Sequence, residues 1–239
     1  MIKEAIILAG GLGTRLRDVI ADIPKCMAPI NDIPFLAFVV DDLKKHGVEY
    51  FIFSLGYKSE SIVDFVQERY KDTNHVFVIE EEPLGTGGAI KEALLSATTE
   101  DILILNGDTL FNIDYNELAD IHKKQKAECT IALKFMKNFS RYGTVKTNTS
   151  TAITTFREKQ VIENGHINGG IYVLNTPLFI KNNLPEKFSF EKDYLEKYVG
   201  KNRIDGIAFD NYFIDIGVPE DYERAQKELG PSTSLRTGS

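Results

Sequence analysis

The fold of this chain is decided by the stretch Ala5-Ile-Ile-Leu-Ala-Gly-Gly-Leu-Gly-Thr-Arg-Leu-Arg17, which is followed by Pro24-Lys25. A short, continuous apolar run of this kind predicts a strand that is buried on both faces. Glycines after such a strand let backbone N–H groups approach phosphate oxygens closely. The stretch therefore indicates a phosphate site at the end of a buried strand.

Neither of two well-known phosphate-binding patterns fits this stretch. The dinucleotide pattern G-x-G-x-x-G lacks its third glycine, and no Lys-Ser or Lys-Thr follows the glycines as a P-loop requires. What remains is a glycine turn with the cations Arg15, Arg17 and Lys25, which predicts a cradle for a triphosphate. The alternative is a tight strand-to-helix turn with solvated cations.

The composition limits the classes of function. The chain has 239 residues and a formal net charge of -7, which disfavours general binding to nucleic acid or to an anionic membrane. The run Ala5–Ala9 is too short for a signal peptide, and we expect no transmembrane helix. Cys26 and Cys129 lack zinc spacing, so we expect reduced thiols in a cytoplasmic protein.

Strand and helix patterns alternate in the first half of the chain. Apolar runs predict strands, and 3.6-residue periodicity predicts helices between them. The predicted strands are Ala5–Ala9, Tyr50–Leu55, Val76–Ile79 and Ile102–Leu105, and the predicted helices are Phe35–His46, Ser59–Tyr70 and Gly88–Ala97. This order predicts an α/β fold, a Rossmann-like three-layer sandwich with a mostly parallel mixed sheet.

The second half is less regular. The predicted strands are Cys129–Phe135, Tyr142–Lys146, Ile153–Phe156, Gly170–Leu174 and Phe213–Ile216, without full helices between them, and Pro219–Glu228 is a closing helix. We expect a single domain over residues 1–229, with a nucleotide-binding lobe at about 1–110 and the second substrate's lobe at about 111–229. Residues 230–239 are polar and aperiodic, which predicts a flexible tail.

Two aspartates follow apolar runs. Asp108 ends Ile102-Leu-Ile-Leu-Asn-Gly-Asp108, and Asp215 follows Tyr212-Phe-Ile. Ligands of α/β sheets bind at the carboxyl ends of strands, and Mg²⁺ commonly takes one or two carboxylates together with phosphate oxygens. The alternative for each aspartate is a turn residue that caps a helix.

The ordered motifs of the chain resemble those of the sugar-1-phosphate nucleotidyltransferases. The resemblance spans about residues 4 to 228. Its motifs are Gly10-Gly-Leu-Gly-Thr-Arg-Leu16, Pro24-Lys25, Glu80-Glu-Glu-Pro-Leu-Gly-Thr-Gly-Gly-Ala89, Asn106-Gly-Asp108, Arg141-Tyr-Gly143, Glu158-Lys159, Asn168-Gly-Gly-Ile-Tyr172 and Phe213-Ile-Asp-Ile-Gly217. Within the family, the chain is most similar to guanylyltransferases acting on D-glycero-α-D-manno-heptose 1-phosphate, and next to those acting on mannose 1-phosphate.

The resemblance implies a role for each motif. It implies catalytic roles for Arg15, Lys25 and Asp108, and a Mg²⁺ site on Asp108 and Asp215. The implied nucleotide-binding residues are Leu8, Ala9, Gly10, Gly11, Gly13, Thr14, Arg15, Lys25, Glu80, Pro83, Gly85, Thr86, Asn106 and Gly107. The implied residues for the sugar phosphate are Tyr142, Gly143, Glu158, Lys159, Asn168 and Gly169.

The acidic run Glu80–Glu82 bears on the choice of base. Guanine shows two adjacent donors on its pairing edge, and one carboxylate accepts from both, whereas uracil and thymine show one donor there. We expect Glu80 to read guanine; Glu81, Glu82 or a merely solvated acidic run are the alternatives.

The expected reaction is transfer of a nucleotidyl group from GTP to a sugar 1-phosphate, with release of pyrophosphate. The expected product feeds lipopolysaccharide, capsule or other surface glycans. Uridylyl transfer to another sugar phosphate is an enzymatic alternative, and a homodimer stays open. A non-catalytic nucleotide-sugar sensor would have lost an essential charge, yet Arg15, Lys25, Asp108 and Asp215 are all present.

Overall fold

The computed structural model describes residues 1–11, 23–56, 58–139, 142–157 and 162–229. The strands are β1 (Glu4–Leu8), β2 (Pro29–Ile30), β3 (Ile33–Pro34), β4 (Tyr50–Leu55), β5 (Asn74–Ile79), β6 (Asp101–Asn106), β7 (Thr109–Phe111), β8 (Cys129–Phe139), β9 (Thr144–Thr147), β10 (Ile153–Arg157), β11 (Ile162–Asn175), β12 (Ile204–Phe209) and β13 (Phe213–Asp215). The helices are α1 (Phe35–Lys45), α2 (Ser59–Arg69), α3 (Gly85–Ala93), α4 (Tyr115–Gln125), α5 (Thr176–Ile180), α6 (Glu196–Tyr198) and α7 (Pro219–Glu228). Short 3-10 helices cover Lys25–Met27 and Leu94–Ser96, and a π-helix covers Phe190–Leu195.

One large sheet organises the molecule. Its order is β5-β4-β1-β6-β11-β9-β10, and β8 pairs with both β11 and β12. The strands of the first half, β5, β4, β1 and β6, are all parallel. The second half joins them through β11, which runs antiparallel to β6, β8 and β9. The predicted α/β fold with a mixed sheet is confirmed.

Apolar side chains fill both faces of this sheet. Along β1, Ala5 and Ile7 face a core built with α1, α2 and α4, whereas Ile6 faces a second core built with α3 and α5. Successive side chains of a strand point to opposite faces, so a continuous apolar run serves two cores at once. The result is the predicted sandwich of three layers.

The structure departs from the sequence prediction mainly in the second half. β11 begins at Ile162, whereas the sequence prediction placed its start at Gly170. The register of β11 with β8 shifts between Asn168 and Tyr172, so the strand has no regular alternation of apolar and polar residues there. The sequence prediction missed β12 and α4 altogether. Asp114 caps α4 by accepting from the backbone N–H groups of Asn116 and Glu117, 2.9 and 3.2 Å away.

The last helix ties the end of the domain to the segment that follows Lys25. Gln226 on α7 accepts from the backbone N–H of Asn31, and its own amide donates to the carbonyl of Pro29 at 2.6 Å. The hydroxyl of Tyr222 donates to the same carbonyl at 2.7 Å. The turn between β2 and β3 is therefore fixed to α7.

Two further expectations concern transmembrane helices and the C-terminal tail. Across the described ranges, no helix has both the length and the apolar character that a membrane span needs. The predicted flexible tail at 230–239 lies outside the described residues.

Candidate active site

Two adjoining cavities open at the edge of the sheet where the parallel strands end. The first has a volume of about 460 Å³. It is lined by Leu8, Ala9, Gly10, Gly11, Lys25, Cys26, Ser54, Glu80, Pro83, Gly85, Thr86, Ala89, Asn106, Asp108, Glu191 and Gly217. Carboxyl ends of parallel strands are where α/β sheets bind ligands, so this cavity is the candidate nucleotide site.

The second cavity has a volume of about 330 Å³. It is lined by Thr86, Asn106, Thr109, Tyr142, Gly143, Phe156, Asn168, Gly169, Gly170, Tyr172, Glu191, Phe213 and Asp215. Thr86, Asn106 and Glu191 line both cavities, so the two spaces meet. A molecule in one cavity can therefore contact a molecule in the other.

A lysine and two aspartates lie where the cavities join. β7 pairs with β13, with Thr109 opposite Asp215, and this pairing brings Asp215 beside Asp108. The Nζ of Lys25 donates to Oδ2 of Asp108 and lies 3.5 Å from Oδ1 of Asp215. The fold thus joins two carboxylates that are far apart in the sequence and places one ammonium between them.

Gly217 leaves room for this cluster. Its backbone N–H donates to Oδ1 of Asp215 at 2.7 Å. A Cβ atom at position 217 would lie 2.8 Å from that oxygen and 2.8 Å from Nζ of Lys25. Contacts that short are not tolerated, so a side chain here would displace either the lysine or the aspartate.

Glu80 is the member of its acidic run that lines the first cavity. Its Oε2 accepts from the backbone N–H of Leu84 at 3.0 Å. Burial raises the pKa of Glu80, and the nearby carboxylate of Glu92 raises it further. Glu81 and Glu82 are exposed and are not among the described lining residues. Of the three glutamates, Glu80 is the one at the first cavity, and its role in reading the base stays a prediction.

The glycines after Pro83 have a packing role that the sequence did not reveal. A Cβ at Gly87 would lie 2.1 Å from the ring of Phe188, and one at Gly85, where φ is +73°, would lie 2.6 Å from the Phe188 carbonyl oxygen. The N–H of Gly87 donates to that carbonyl at 3.0 Å, and the N–H of Phe188 donates to the carbonyl of Leu84 at 3.0 Å. The loop at the first cavity is therefore interlocked with a segment that belongs to the second half of the chain.

Most of the predicted binding residues lie on these walls. In the first cavity they are Leu8, Ala9, Gly10, Gly11, Lys25, Glu80, Pro83, Gly85, Thr86, Asn106 and Asp108. In the second cavity they are Tyr142, Gly143, Asn168 and Gly169, together with the predicted metal ligand Asp215. Gly107 is buried behind the wall, where its N–H donates to the Leu8 carbonyl at 2.8 Å. Gly13, Thr14, Arg15, Glu158 and Lys159 lie outside the described residues.

Aromatic rings and amide groups form the walls of the second cavity. The ring centroids of Tyr142 and Phe213 are 5.9 Å apart, in an edge-on arrangement. The side-chain amide of Asn168 donates to the Tyr172 hydroxyl at 2.7 Å, and its carbonyl oxygen accepts from the Gly170 N–H at 3.0 Å. Apolar ring surface with a few fixed polar groups suits a polyhydroxylated ring.

The sequence analysis missed Glu191, Thr109, Phe156 and Phe213 as lining residues. Glu191 lies on the π-helix, whose apolar residues Phe190, Tyr194 and Leu195 mark the side that faces the core and not the side that lines a cavity. Ser189 does carry a local signal, because its side chain accepts from the Lys192 N–H and caps this helix. Acidic residues directly after such a cap could have indicated a helix start near the site.

Cys26 also lines the first cavity, and it is not a candidate nucleophile. Its side chain is buried, and burial raises the pKa of the thiol to about 12. The thiol therefore stays protonated near neutral pH.

Comparison with known proteins places the chain in a family. Residues 4–231 match the family described as Nucleotidyl transferase. The chain is 50% identical over 226 residues to D-glycero-alpha-D-manno-heptose 1-phosphate guanylyltransferase of Aneurinibacillus thermoaerophilus, with 95% of this chain and 98% of that protein covered. It is 48% identical to the protein of the same name from Campylobacter jejuni, with 92% of this chain and 96% of that protein covered.

A solved structure is also similar. HddC from Yersinia pseudotuberculosis superposes with a TM-score of 0.86 and 36% identity, with 96% of this chain and all of that chain covered. A second structure of HddC, complexed with GMP-PN, gives a TM-score of 0.85. The family match spans almost the whole chain, and the resemblance read from the motifs is confirmed. The chain belongs to the Nucleotidyl transferase family.

Proposed function

We propose that this protein transfers a guanylyl group from GTP to D-glycero-α-D-manno-heptose 1-phosphate, giving a GDP-heptose and pyrophosphate. The observation that carries the proposal is the meeting of two cavities at Lys25, Asp108 and Asp215. Two relatives at 48–50% identity, each covered over more than nine tenths of its length, are heptose 1-phosphate guanylyltransferases. HddC, the similar solved structure, also exists as a complex with GMP-PN.

The reaction is an in-line displacement at phosphorus. A phosphate oxygen of the sugar phosphate forms a bond to the α-phosphorus of GTP, and the bond to the α,β-bridging oxygen breaks. The attacking oxygen is already anionic, so no strong general base is needed. Catalysis then depends on positioning two anions and neutralising their charge.

The described residues divide this work between the two cavities. Glu80 faces the first cavity with a carboxylate that would accept from the two guanine donors. Lys25 supplies a positive charge at the junction, where phosphates of both substrates would meet. Asn168 and the aromatic walls would hold the sugar ring.

The aspartate pair fits a Mg²⁺ ion. Among the described residues, no three His, Cys, Asp or Glu side chains gather into a metal cluster. Mg²⁺ does not require one, because it keeps several waters and is usually bound by one or two carboxylates plus substrate phosphates. Asp108 and Asp215 would hold the ion, which would neutralise charge on phosphate oxygens when bound.

Lys25 and a divalent cation would compete for the same oxygens. The ammonium contacts both carboxylates, and two positive charges at that spacing repel each other. The lysine would therefore leave the carboxylates when a cation binds, and nearby phosphates would receive it. This exchange links cation binding to nucleotide binding.

The cellular setting is part of the proposal. We propose a cytoplasmic enzyme whose GDP-sugar feeds lipopolysaccharide or capsule. Both cysteines are free thiols, which suits a reducing compartment.

A matrix of substrates tests the proposed function. The purified protein is incubated with Mg²⁺ and each of ATP, GTP, CTP, UTP or dTTP, against heptose, mannose and glucose 1-phosphates, and pyrophosphate release is measured. We expect the highest kcat/KM for GTP with the heptose 1-phosphate. A preference for UTP or dTTP would overturn the guanylyl assignment, and a preference for mannose 1-phosphate would overturn the heptose assignment.

A further inference from the structure

Glu191 occupies a position that none of the motifs described above includes. It lies on the π-helix Phe190–Leu195, and it lines both cavities. π-Helical turns are rare and occur frequently at functional sites. The carboxylate therefore stands where the two substrates of the proposed reaction would meet.

The two carboxylate oxygens of Glu191 differ in their partners. Oε2 accepts from the Thr86 hydroxyl at 2.7 Å and from the Ser189 hydroxyl at 3.1 Å. No donor in the described part of the chain contacts Oε1. One oxygen is thus used to fix the side chain, and the other keeps its capacity to accept.

The backbone around Glu191 is fixed from two sides. The Thr86 hydroxyl that donates to Glu191 also accepts from the Phe190 N–H at 2.9 Å. Further along the helix, the Tyr194 hydroxyl donates to the buried carboxylate of Glu128 at 2.7 Å. A carboxylate held in this way is pre-organised for a ligand, because little side-chain freedom is left to lose on binding.

The charge of Glu191 selects the kind of group it can accept. A carboxylate repels phosphate oxygens and accepts strongly from hydroxyl groups. The substrates offer hydroxyls from two sources near a junction of this kind, namely the ribose of the nucleotide and the ring of the sugar phosphate. Both sources present the same chemistry, an O–H donor.

We propose that Glu191 is a specificity-determining residue whose Oε1 accepts a hydrogen bond from a substrate hydroxyl at the junction of the two cavities. The proposal rests on the proposed nucleotidyl transfer. It adds a contact that selects the substrate by its hydroxyl pattern, separate from the contacts of Glu80 and Asn168.

The test combines Glu191→Gln with substrates that lack single hydroxyls. KM and kcat are measured for 2′-deoxy-GTP and 3′-deoxy-GTP, and for heptose 1-phosphates deoxygenated singly at positions 2, 3, 4, 6 and 7, each beside its parent compound. In the wild type, we expect one analogue to lose about tenfold or more in kcat/KM, as for a hydrogen bond to a charged group. Glu191→Gln should lose a similar factor with the parent compound and show little further loss with that analogue.

Two control variants separate this role from a structural one. Glu186→Gln changes an exposed glutamate of the same segment and should behave as the wild type. Thr86→Val removes the hydroxyl that holds Glu191, yet leaves the carboxylate, so the analogue should still lose activity in this variant. Melting temperatures show that each variant is folded.

The outcomes are distinguishable. If an affected ribose analogue loses its penalty in Glu191→Gln, the hydroxyl belongs to the nucleotide; if an affected heptose analogue does, it belongs to the sugar. If every analogue loses the same factor in Glu191→Gln as in the wild type, the inference is wrong. If the wild type releases no pyrophosphate with any pair of substrates, the proposed function itself fails.

Discussion

The two cavities are built on different principles, although they share three residues. The first lies at the ends of the parallel strands β1, β5 and β6, and its described lining includes the charged side chains of Lys25, Glu80 and Asp108 and no aromatic ring. The second lies among the antiparallel strands β9, β10, β11 and β13, and side-chain rings and amides dominate its wall. The difference teaches that the end of a parallel strand is enough to place the charged groups of the first cavity, whereas the rings and amides of the second depend on strand register.

The largest effect is expected at the junction, where a substitution affects both cavities. Asp108→Asn removes one anionic ligand of the proposed Mg²⁺ site while keeping the size of the side chain. We expect kcat to fall about a hundredfold, or about 2.7 kcal/mol of barrier, in assays with Mg²⁺. Binding of Mn²⁺, followed by electron paramagnetic resonance in the presence of GTP, should weaken in parallel.

Asp210→Asn is the matched control for this variant, because Asp210 is exposed on the surface beside Lys134. It should keep wild-type kcat and Mn²⁺ binding. Retention of more than about a tenth of kcat in Asp108→Asn, less than about 1.4 kcal/mol of lost barrier, would contradict the assignment.

The next largest effect is expected at Lys25, which stands between the cavities. Lys25→Met keeps the length of the side chain and removes the charge. We expect kcat/KM for GTP to fall about thirtyfold, since a hydrogen bond to a charged group is lost. Without nucleotide, Mn²⁺ should bind more tightly than it does to the wild type, because no ammonium competes for the carboxylates. Unchanged Mn²⁺ affinity would show that Lys25 and the cation do not share those oxygens.

A smaller effect should be confined to the first cavity. Glu80→Gln places an amide N–H₂ where guanine presents donors, and we expect about a tenfold loss in kcat/KM for GTP with little change for UTP. The effect should also depend on pH. Burial raises the pKa of Glu80, so the ionised acceptor is lost as the pH falls through that raised pKa, and KM for GTP should rise there in the wild type.

The pH profile of Glu80→Gln is the control for this prediction, since GTP itself titrates in both proteins. The two profiles should differ only on the acidic side. Glu81→Gln should resemble the wild type. If Glu81→Gln alone lost the preference for GTP, the residue that contacts the base would be Glu81 and not Glu80.

The smallest effect should be confined to the second cavity. Asn168→Ala removes the amide that donates to Tyr172 and accepts from Gly170. We expect KM for the sugar phosphate to rise about fivefold, as for a neutral hydrogen bond, with KM for GTP unchanged. Equal increases for both substrates would mean that the two cavities do not divide the substrates between them.

The sequence predicted the first cavity more completely than the second for a physical reason. Ends of parallel strands meet at one edge of a sheet, so Asp108 could be placed at a ligand site from its position alone, and the family resemblance supplied Leu8, Glu80 and Asn106. In β11, the register shift at Gly169 and Gly170 decides which side chains face the cavity. The sequence there has no alternation of apolar and polar residues from which these directions could be predicted. The pairing of β7 with β13, which joins Asp108 to Asp215, was likewise beyond a local pattern.

The glycine loop after Pro83 shows that a glycine in a motif does not by itself indicate a ligand-binding position. Gly85 does line the first cavity, yet Gly87 is required by the ring of Phe188. A sequence motif cannot separate these two reasons, because both demand the absence of a Cβ. Glu191 was missed for another reason: Phe190, Tyr194 and Leu195 mark the buried face of its helix, but they do not indicate that Glu191, held by Thr86 and Ser189, lines a cavity.

The hydrogen bonds between α7 and the turn after β2 determine when the candidate active site is complete during synthesis of the chain. Lys25 and Asp108 emerge from the ribosome early, but Asp215 and Gly217 come about one hundred residues after Asp108, and α7 follows them directly. The early strands can form their sheet before that point, since chains fold progressively from the N-terminus. The carboxylate pair is nonetheless complete only when β13 has paired with β7 and α7 has docked on Pro29 and Asn31. A nascent chain that stops short of β13 therefore carries Lys25 and Asp108 without the second carboxylate, and without the helix that fixes the turn at Pro29 and Asn31.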